Sequence, residues 1–416
     1  MNDAPLPTGA LTSQSQPSVS RLRELATLFL KLGAISFGGP AAHIALMETE
    51  LVRKREWLTR QQFLDMVGAA NLIPGPSSTE TAITVGYARA GWAGLCVAGA
   101  SFILPAALIT GVFAWAYVRL GAMPQALSVL GGVKPAVVAI IAIAIWRLGK
   151  TAVRDWGLAV LGGCAVATFF LRVNPITILF GGGLLGMLAR RAASFRLSGT
   201  QALFSTLTSR TLAMGPSGKF AATGWRSLSS IAILGATAGT ILARPSLAKI
   251  GLFFLKVGAV LYGGGYVLLA FLEQGLVQQH GWLTQRQLLD SVAIGQFTPG
   301  PVLSTATFIG YLLGGVPGAA VATIAIFLPS FFYVALLAPA LFRLRKSAWM
   351  AAFLDSVNVC AVALMAGVTF RLAADALGGW PSWIIAGIAV GILLRWKPSP
   401  AWIVLGGGLA GLFFFR

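Results

Sequence analysis

The sequence predicts an all-α polytopic membrane protein made of two inverted-topology repeats whose helices are broken, and in part re-entrant, at glycine and proline. Three observations carry this. The 416 residues are 56% hydrophobic and only 10% charged, where a soluble chain has about 25% charged residues. The apolar residues fall in long runs, such as 135–146, 156–171, 176–188 and 402–415, separated by short polar or basic pieces. Two stretches of the chain match one another at an offset of 254 − 29 = 225 residues.

The N-terminal residues come first. Residues 1–20 are polar, contain Pro5, Pro7 and Pro17, and hold no Lys or Arg, so they lack the basic and apolar regions of a cleaved signal. Residues 1–24 are read as a disordered cytoplasmic tail. Cys96, Cys164 and Cys360 are isolated in apolar stretches, which suggests neither a disulfide framework nor a metal site; small buried hydrophobes are the expected role. No cofactor is expected.

The repeat organises the rest. Phe29-Leu30-Lys31-Leu32-Gly33-Ala34-Ile35-Ser36-Phe37-Gly38-Gly39-Pro40 matches Phe254-Leu255-Lys256-Val257-Gly258-Ala259-Val260-Leu261-Tyr262-Gly263-Gly264-Gly265. Glu48 pairs with Glu273, Trp57-Leu58-Thr59 with Trp282-Leu283-Thr284, Asp65 with Asp290, and Pro74-Gly75-Pro76 with Pro299-Gly300-Pro301. One residue then drops out, so Gly86-Tyr87 and Leu104-Pro105 align with Gly310-Tyr311 and Leu328-Pro329 at an offset of 310 − 86 = 224. The length is far above a solenoid period, so each copy is domain-sized. The first copy spans 25–189 and the second 246–416; residues 190–245 hold a linker and a connecting transmembrane helix.

Charge sets the orientation. The linker 190–226 has Arg190, Arg191, Arg196, Arg210, Lys219 and Arg226 and no acid, so it stays on the cytoplasmic side. Six apolar segments lie in each copy, near 25–47, 63–87, 91–117, 125–147, 156–172 and 175–189, then near 246–272, 288–312, 315–340, 348–370, 380–394 and 401–415. A thirteenth, near 228–243, inverts the second copy. The loop 48–62 has Arg53, Lys54, Arg55 and Arg60, whereas its mate 273–287 has only Arg286; the first is cytoplasmic and the second external by the positive-inside rule. Arg147, Lys150, Arg154, Arg343, Arg345, Lys346, Arg395 and Lys397 all fall inside if 25–47 and 63–87 re-enter as hairpins. Full crossing as kinked helices is the alternative. The net charge of 31 − 12 = +19 is thus topology, and no nucleic-acid partner is expected; the lipid bilayer is the partner.

Paired broken segments in inverted repeats point to a secondary transporter with its site near the midplane. Broken backbone is tolerated at membrane depth only where protein or a water-filled cavity satisfies it, and each helix that restarts presents a positive end suited to an anion. The candidate substrate site is therefore Ser36, Gly38 and Gly39 with Asn71, Pro74, Gly75, Pro76, Ser77 and Ser78, and their counterparts Gly263, Gly264, Gln296, Pro299, Gly300, Pro301 and Ser304. The hydroxyls serve equally as helix caps. Lys31 and Lys256, seven residues before the Gly-Gly pairs, either attract the anion or snorkel to headgroups. Glu80, which has no acidic mate, is the candidate coupling group for a proton; pairing with Arg89 or a lysine is its alternative. Asp65 and Asp290, on amphipathic helices opened by Thr59 and Thr284, are expected to be structural, and Asp355 poses a weaker form of the same question.

Ser36-Phe37-Gly38-Gly39-Pro40, Arg53-Lys54-Arg55-Glu56-Trp57 and Asn71-Leu72-Ile73-Pro74-Gly75-Pro76 together resemble the signature of the chromate ion transporter family. The likeness covers both copies, as in its long two-domain bacterial members. It implies a multi-pass carrier of the bacterial inner membrane that expels chromate, confers resistance and is driven by the membrane potential or proton gradient. Sulfate, another tetrahedral dianion, is an alternative substrate, an anion channel an alternative mechanism, and a homodimer is left open. The second copy departs from the signature, with Gly265 at the place of Pro40 and Thr298 at that of Ile73.

Other classes fit worse. The only Gly-Lys-Thr, Gly149-Lys150-Thr151, has Ala144 where a phosphate loop needs its first glycine. Redox cofactors would need ligands beyond His43, His280 and three scattered cysteines.

Overall fold

The structure, a computed structural model, describes residues 19–37, 39–120, 123–204, 245–262, 265–337, 348–396 and 398–415. The tail, most of the basic linker, the expected segment near 228–243, and Gly38, Gly263 and Gly264 lie outside the described residues. Both copies belong to one compact unit, Met1–Met187 with Arg244–Arg416. Leu188–Ala243 form a second, of which only the end of one helix is described.

In the first copy the helices are α1 Val19–Ile35, α2 Pro40–Glu48, α3 Arg60–Ala70, α4 Ser77–Leu120, α5 Pro124–Ala152, α6 Trp156–Phe170 and α7 Pro175–Phe204. The second copy repeats them as α8 Leu247–Val260, α9 Leu268–Leu272, α10 Gln285–Phe297, α11 Thr305–Leu337, α12 Ala348–Ala376, α13 Trp380–Arg395 and α14 Pro400–Phe414. Each α2 and α9 continues into a π-helical turn, Thr49–Lys54 and Glu273–Gln279. Thr59 and Thr284 cap α3 and α10 through reciprocal boxes with Gln62 and Gln287, which satisfy two orphan N–H groups at each helix start.

Among the described residues four are long and apolar enough to span a bilayer, within α4, α5, α11 and α12. Shorter apolar helices are Trp156–Phe170, Pro175–Arg190, Trp380–Arg395 and Pro400–Phe414. In α4 the chain reverses at Ala90 and Gly91, where Gly91 takes φ 60°, and the two limbs close so tightly that a Cβ on Gly94 would stand 2.1 Å from the Gly86 carbonyl oxygen. The α11 helix reverses in the same way at Gly314 and Gly315.

Two contacts show that 25–47 and 63–87 each return to the side they entered. If α1 ran on through α2, Lys31 and Glu50 would be roughly 28 Å apart at 1.5 Å per residue; their charged groups are 3.0 Å apart. Hence α2 folds back along α1. Lys54 and Lys31 both donate to Glu50, and these hydrogen bonds hold its carboxyl below the ordinary carboxylate range. Likewise the Arg89 guanidinium, at the end of the first α4 limb, lies 4.2 Å from the Trp57 ring just before α3, and Arg89 also pairs with Glu24 near the start of α1. A packed core of Leu25, Phe29, Leu32, Met47, Phe63 and Phe102 fills the space between these hairpins.

The two copies are antiparallel. Gly149 of α5 faces Val362 of α12, and five residues further on Arg154 pairs with Asp355, seven residues back, at 3.6 Å. Equivalent helices running in opposite directions require a two-fold axis lying in the membrane plane, which is the mark of an inverted repeat. Leu104, Leu108, Val112 and Trp115 on α4, and Leu328, Phe332 and Leu336 on α11, are exposed along matching stripes, the apolar faces that lipid covers.

This arrangement fixes a labelling pattern. A membrane-impermeant thiol reagent should reach Arg53→Cys and Lys150→Cys from the cytoplasmic side and Gln278→Cys only from outside; an externally reactive Arg53→Cys would refute the hairpins.

Candidate functional site

The broken backbone segments meet at the centre. Pro74-Gly75-Pro76 cannot continue a helix, because proline removes a donor and Gly75 sits at φ 140°. The Gly75 N–H donates to the Leu261 carbonyl oxygen at 2.7 Å, and the Gly300 N–H donates to the Ser36 carbonyl oxygen at 2.8 Å. These are symmetry mates, since 300 − 75 = 225 and 261 − 36 = 225. Each Pro-Gly-Pro turn is therefore closed by the α1-type break of the other copy. The Ser36 carbonyl also meets His43 Nε2 at 3.1 Å, whose Nδ1 lies 3.2 Å from Ser78 Oγ, and Tyr262 donates to the Leu72 carbonyl at 3.3 Å.

Beside this knot lies a cavity of ≈ 540 Å³ bordered by Pro40, Asn71, Gly75, Ser77, Arg147 and Asn358. Pro40 opens α2 and Ser77 opens α4, so the positive ends of two helices face it. Arg147, in α5, is exposed to it and donates to the Leu393 carbonyl at 3.0 Å. Arg154 and Asp355 form their ion pair at its rim. Helix ends, two amides, a hydroxyl and a guanidinium make a surface for an oxygen-rich anion.

The predicted residues divide by position. Asn71, Gly75 and Ser77 line the cavity; Ser36, Pro74, Pro76 and Ser78 are buried behind it, and Gly39, at φ 83°, precedes α2. Lys31 does not line it: Glu50 holds the amine on the far face of the hairpin. Lys256 lines a separate cavity with Lys249 and His280, because Gly275 replaces Glu50 in the second copy. Glu80 is fully buried and among the described residues pairs with neither Arg89 nor a lysine; Ser330 of the second copy donates to its Oε1 at 2.6 Å. Asp290 is buried, and takes a hydrogen bond from Tyr117 at 2.9 Å and an ion pair from Lys134 at 3.6 Å.

A family model described as "Chromate transporter" matches the chain twice, over residues 23–187 and 248–412. This chain belongs to the chromate transporter family. The "Chromate transport protein" of Cupriavidus metallidurans is 34% identical over 94% of this chain and 92% of its own length. The "Probable chromate transport protein" of Synechococcus elongatus is 31% identical over 95% of this chain and 96% of its own, and the "Chromate transport protein" of Pseudomonas aeruginosa 28% identical over 97% and 95%. No solved structure matches the chain.

In this member of the chromate transporter family four equivalent positions of the second copy border a far smaller cavity. Gly265, Leu269, Gln296 and Val302, the mates of Pro40, Ile44, Asn71 and Ser77, enclose only ≈ 10 Å³, about the room of one water. Pro299, Gly300, Pro301 and Ser304 are buried; Ser304 accepts from Thr110 at 3.3 Å.

Arg147 was outside the expected site because positive-inside counting reads it as an inner-face charge at the end of segment 125–147, whereas the structure places it within α5, which runs on to Ala152. The signal was available in the repeat: Trp146-Arg147-Leu148 aligns with Phe370-Arg371-Leu372, and an arginine repeated inside two apolar helices is a functional candidate. Asn358 has no such signal, since its mate is Lys134 (358 − 134 = 224).

Two glycine substitutions separate strain from site damage. Gly91→Ala meets open space and should cost about 1 kcal/mol for its left-handed backbone, with transport retained. Gly75→Ala would place its Cβ 1.9 Å from Glu80 Oε1, so a clearly larger fall in the thermal midpoint in detergent is expected, with loss of flux.

Proposed function

We propose that this protein is a secondary transporter that exports chromate from the cytoplasm across the bacterial inner membrane and so confers chromate resistance. The observation that carries the reading is the pair of mate cavities, one of ≈ 540 Å³ beside Arg147 and one of ≈ 10 Å³ on the opposite copy. With the positive-inside assignment, the open cavity faces the cytoplasm. Two inverted halves that can exchange these shapes form an alternating-access carrier, whereas a channel needs both sides open together.

Chromate is a tetrahedral dianion. In the open cavity Arg147 supplies a full positive charge, the α2 and α4 N-termini supply partial ones, and Asn71, Ser77 and Asn358 donate hydrogen bonds to its oxygens. The site holds no second guanidinium free of a carboxylate among the lining residues, which keeps the anion releasable. Export down an inside-negative potential is favoured by about 2.3 kcal/mol per charge per 100 mV, hence roughly 4.6 kcal/mol for a dianion. Glu80, buried with Oε2 lacking a partner among the described residues, is the group that adds proton coupling: it touches Ser330 across the copies, so its protonation bears on their closure.

Radiolabelled chromate uptake into everted vesicles, with potential and pH gradient clamped separately, tests the reading. Saturable uptake with counterflow against trapped sulfate is expected; a large unitary conductance would establish a channel instead. Arg147→Ala should raise KM at least tenfold with Arg147→Lys intermediate. Glu80→Gln should remove the response to the pH gradient while leaving potential-driven uptake within a few fold; an unchanged pH response would exclude Glu80 as the coupling group.

A further inference from the structure

Resting on the alternating-access reading, we propose that the second copy holds a latent oxyanion site, formed by Arg371 and Lys134, which the protein fills with its own carboxylates while that side is closed. Arg371 is the mate of Arg147 (371 − 147 = 224) and Lys134 that of Asn358, so both occupy positions that line the open cavity in the first copy. On the closed side each is neutralised. Arg371 Nη1 lies 3.4 Å from Glu273 Oε1 and Lys134 Nζ 3.6 Å from Asp290 Oδ1, and the two carboxylates are 2% and 0% exposed. Glu273 Oε1 also accepts a hydrogen bond from Gln278 Nε2, but Oε2 has no hydrogen-bond partner among the described residues, so this buried acid is only half satisfied while it holds Arg371.

The open side shows the same parts in the other state. Glu48, the mate of Glu273, is turned away to Arg60 at 3.4 Å, and among the described residues Arg147 holds only a backbone carbonyl. The surroundings of the two arginines otherwise correspond: Arg371 stacks 4.7 Å from the Phe169 ring, and Arg147 bonds to Leu393, the mate of Phe169 (393 − 169 = 224). The difference between the halves is thus that Arg371 holds a carboxylate and Arg147 a backbone carbonyl. When the outer side opens, Glu273 and Asp290 leave, a tetrahedral divalent oxyanion takes Arg371 and Lys134, and Glu48 closes on Arg147. A glutamate in place of the substrate spares the closed side the cost of burying an uncompensated guanidinium.

The test uses two reporters, Ser77→Cys in the open cavity and Val302→Cys, its mate, in the closed one, with the exposed Cys96 and Cys164 replaced by serine. A membrane-impermeant thiol reagent is applied to everted and right-side-out vesicles, with sulfate as the redox-inert probe anion. Glu273→Gln should raise external labelling of Val302→Cys at least fivefold and lower cytoplasmic labelling of Ser77→Cys. Glu48→Gln should do the reverse. Sulfate should slow the external labelling in Glu273→Gln, and adding Arg371→Gln should abolish that protection. The reversed pair Glu273→Arg with Arg371→Glu should restore the parent pattern, which separates loss of the ion pair from misfolding. Shifts of the same sign in Glu48→Gln and Glu273→Gln, no shift in either, or no sulfate protection would overturn the latent site. If both reporters were labelled from their own sides at once in every variant, the alternating-access reading itself would fail; reciprocal labelling that ignores Glu48 and Glu273 would remove only this inference.

Discussion

Two backbone hydrogen bonds underlie the whole arrangement. A helix interrupted inside a membrane leaves N–H and C=O groups whose burial without partners costs several kcal/mol each. Here the Gly75 N–H is taken by Leu261 and the Gly300 N–H by Ser36, so neither copy can satisfy its own breaks alone. The two halves are held together at the point where each is irregular. Close approach is a condition of this: Gly33 and Gly258 admit the carbonyls of Phe102 and Ile326 within 2.4 and 2.2 Å of where a Cβ would stand. The cavity exists because the same breaks that must be paired also end helices at a common centre, leaving their positive N-termini directed at one space.

Symmetry of backbone does not extend to charge. The hydrogen-bonded knot is nearly identical in the two copies, but Glu80 faces Ser330 on one side while its counterpart Ser304 faces Thr110 on the other. Glu50 gathers Lys31, Lys54 and Arg55 in the first hairpin, where the second has Gly275 and an adjacent basic cavity. A scaffold that repeats and side chains that do not let one fold present two different faces of the membrane with one mechanism of closure.

Much of this was legible beforehand, and for definite reasons. Gly-Gly, Pro-Gly-Pro and the Thr59 and Thr284 capping boxes are local chemistry, so their positions and effects follow from residue type. The inverted arrangement follows from counting basic residues in matched loops. What failed to be legible was long-range. Lys31 and Lys256 share a position in the repeat, but whether each meets an acid depends on residue 50 or 275, some 19 positions away. Arg147 reads as an inner-face charge until α5 is seen to extend past it, and Asn358 is one more polar residue in an apolar helix until α12 turns it toward Pro40.

By itself the sequence determined that the chain is helical, embedded in lipid, duplicated and inverted, and where its helices break, because composition, periodicity and loop charge act within a few residues. Only the tertiary structure decided which break closes which, that the outer hairpins return instead of crossing, and that one of two equivalent cavities is open. The reason is physical: those outcomes are set by hydrogen bonds and ion pairs between residues of different copies, such as Gly75 with Leu261 and Glu80 with Ser330, and an internal repeat makes each such group equally compatible with partners in either copy until the chain is packed.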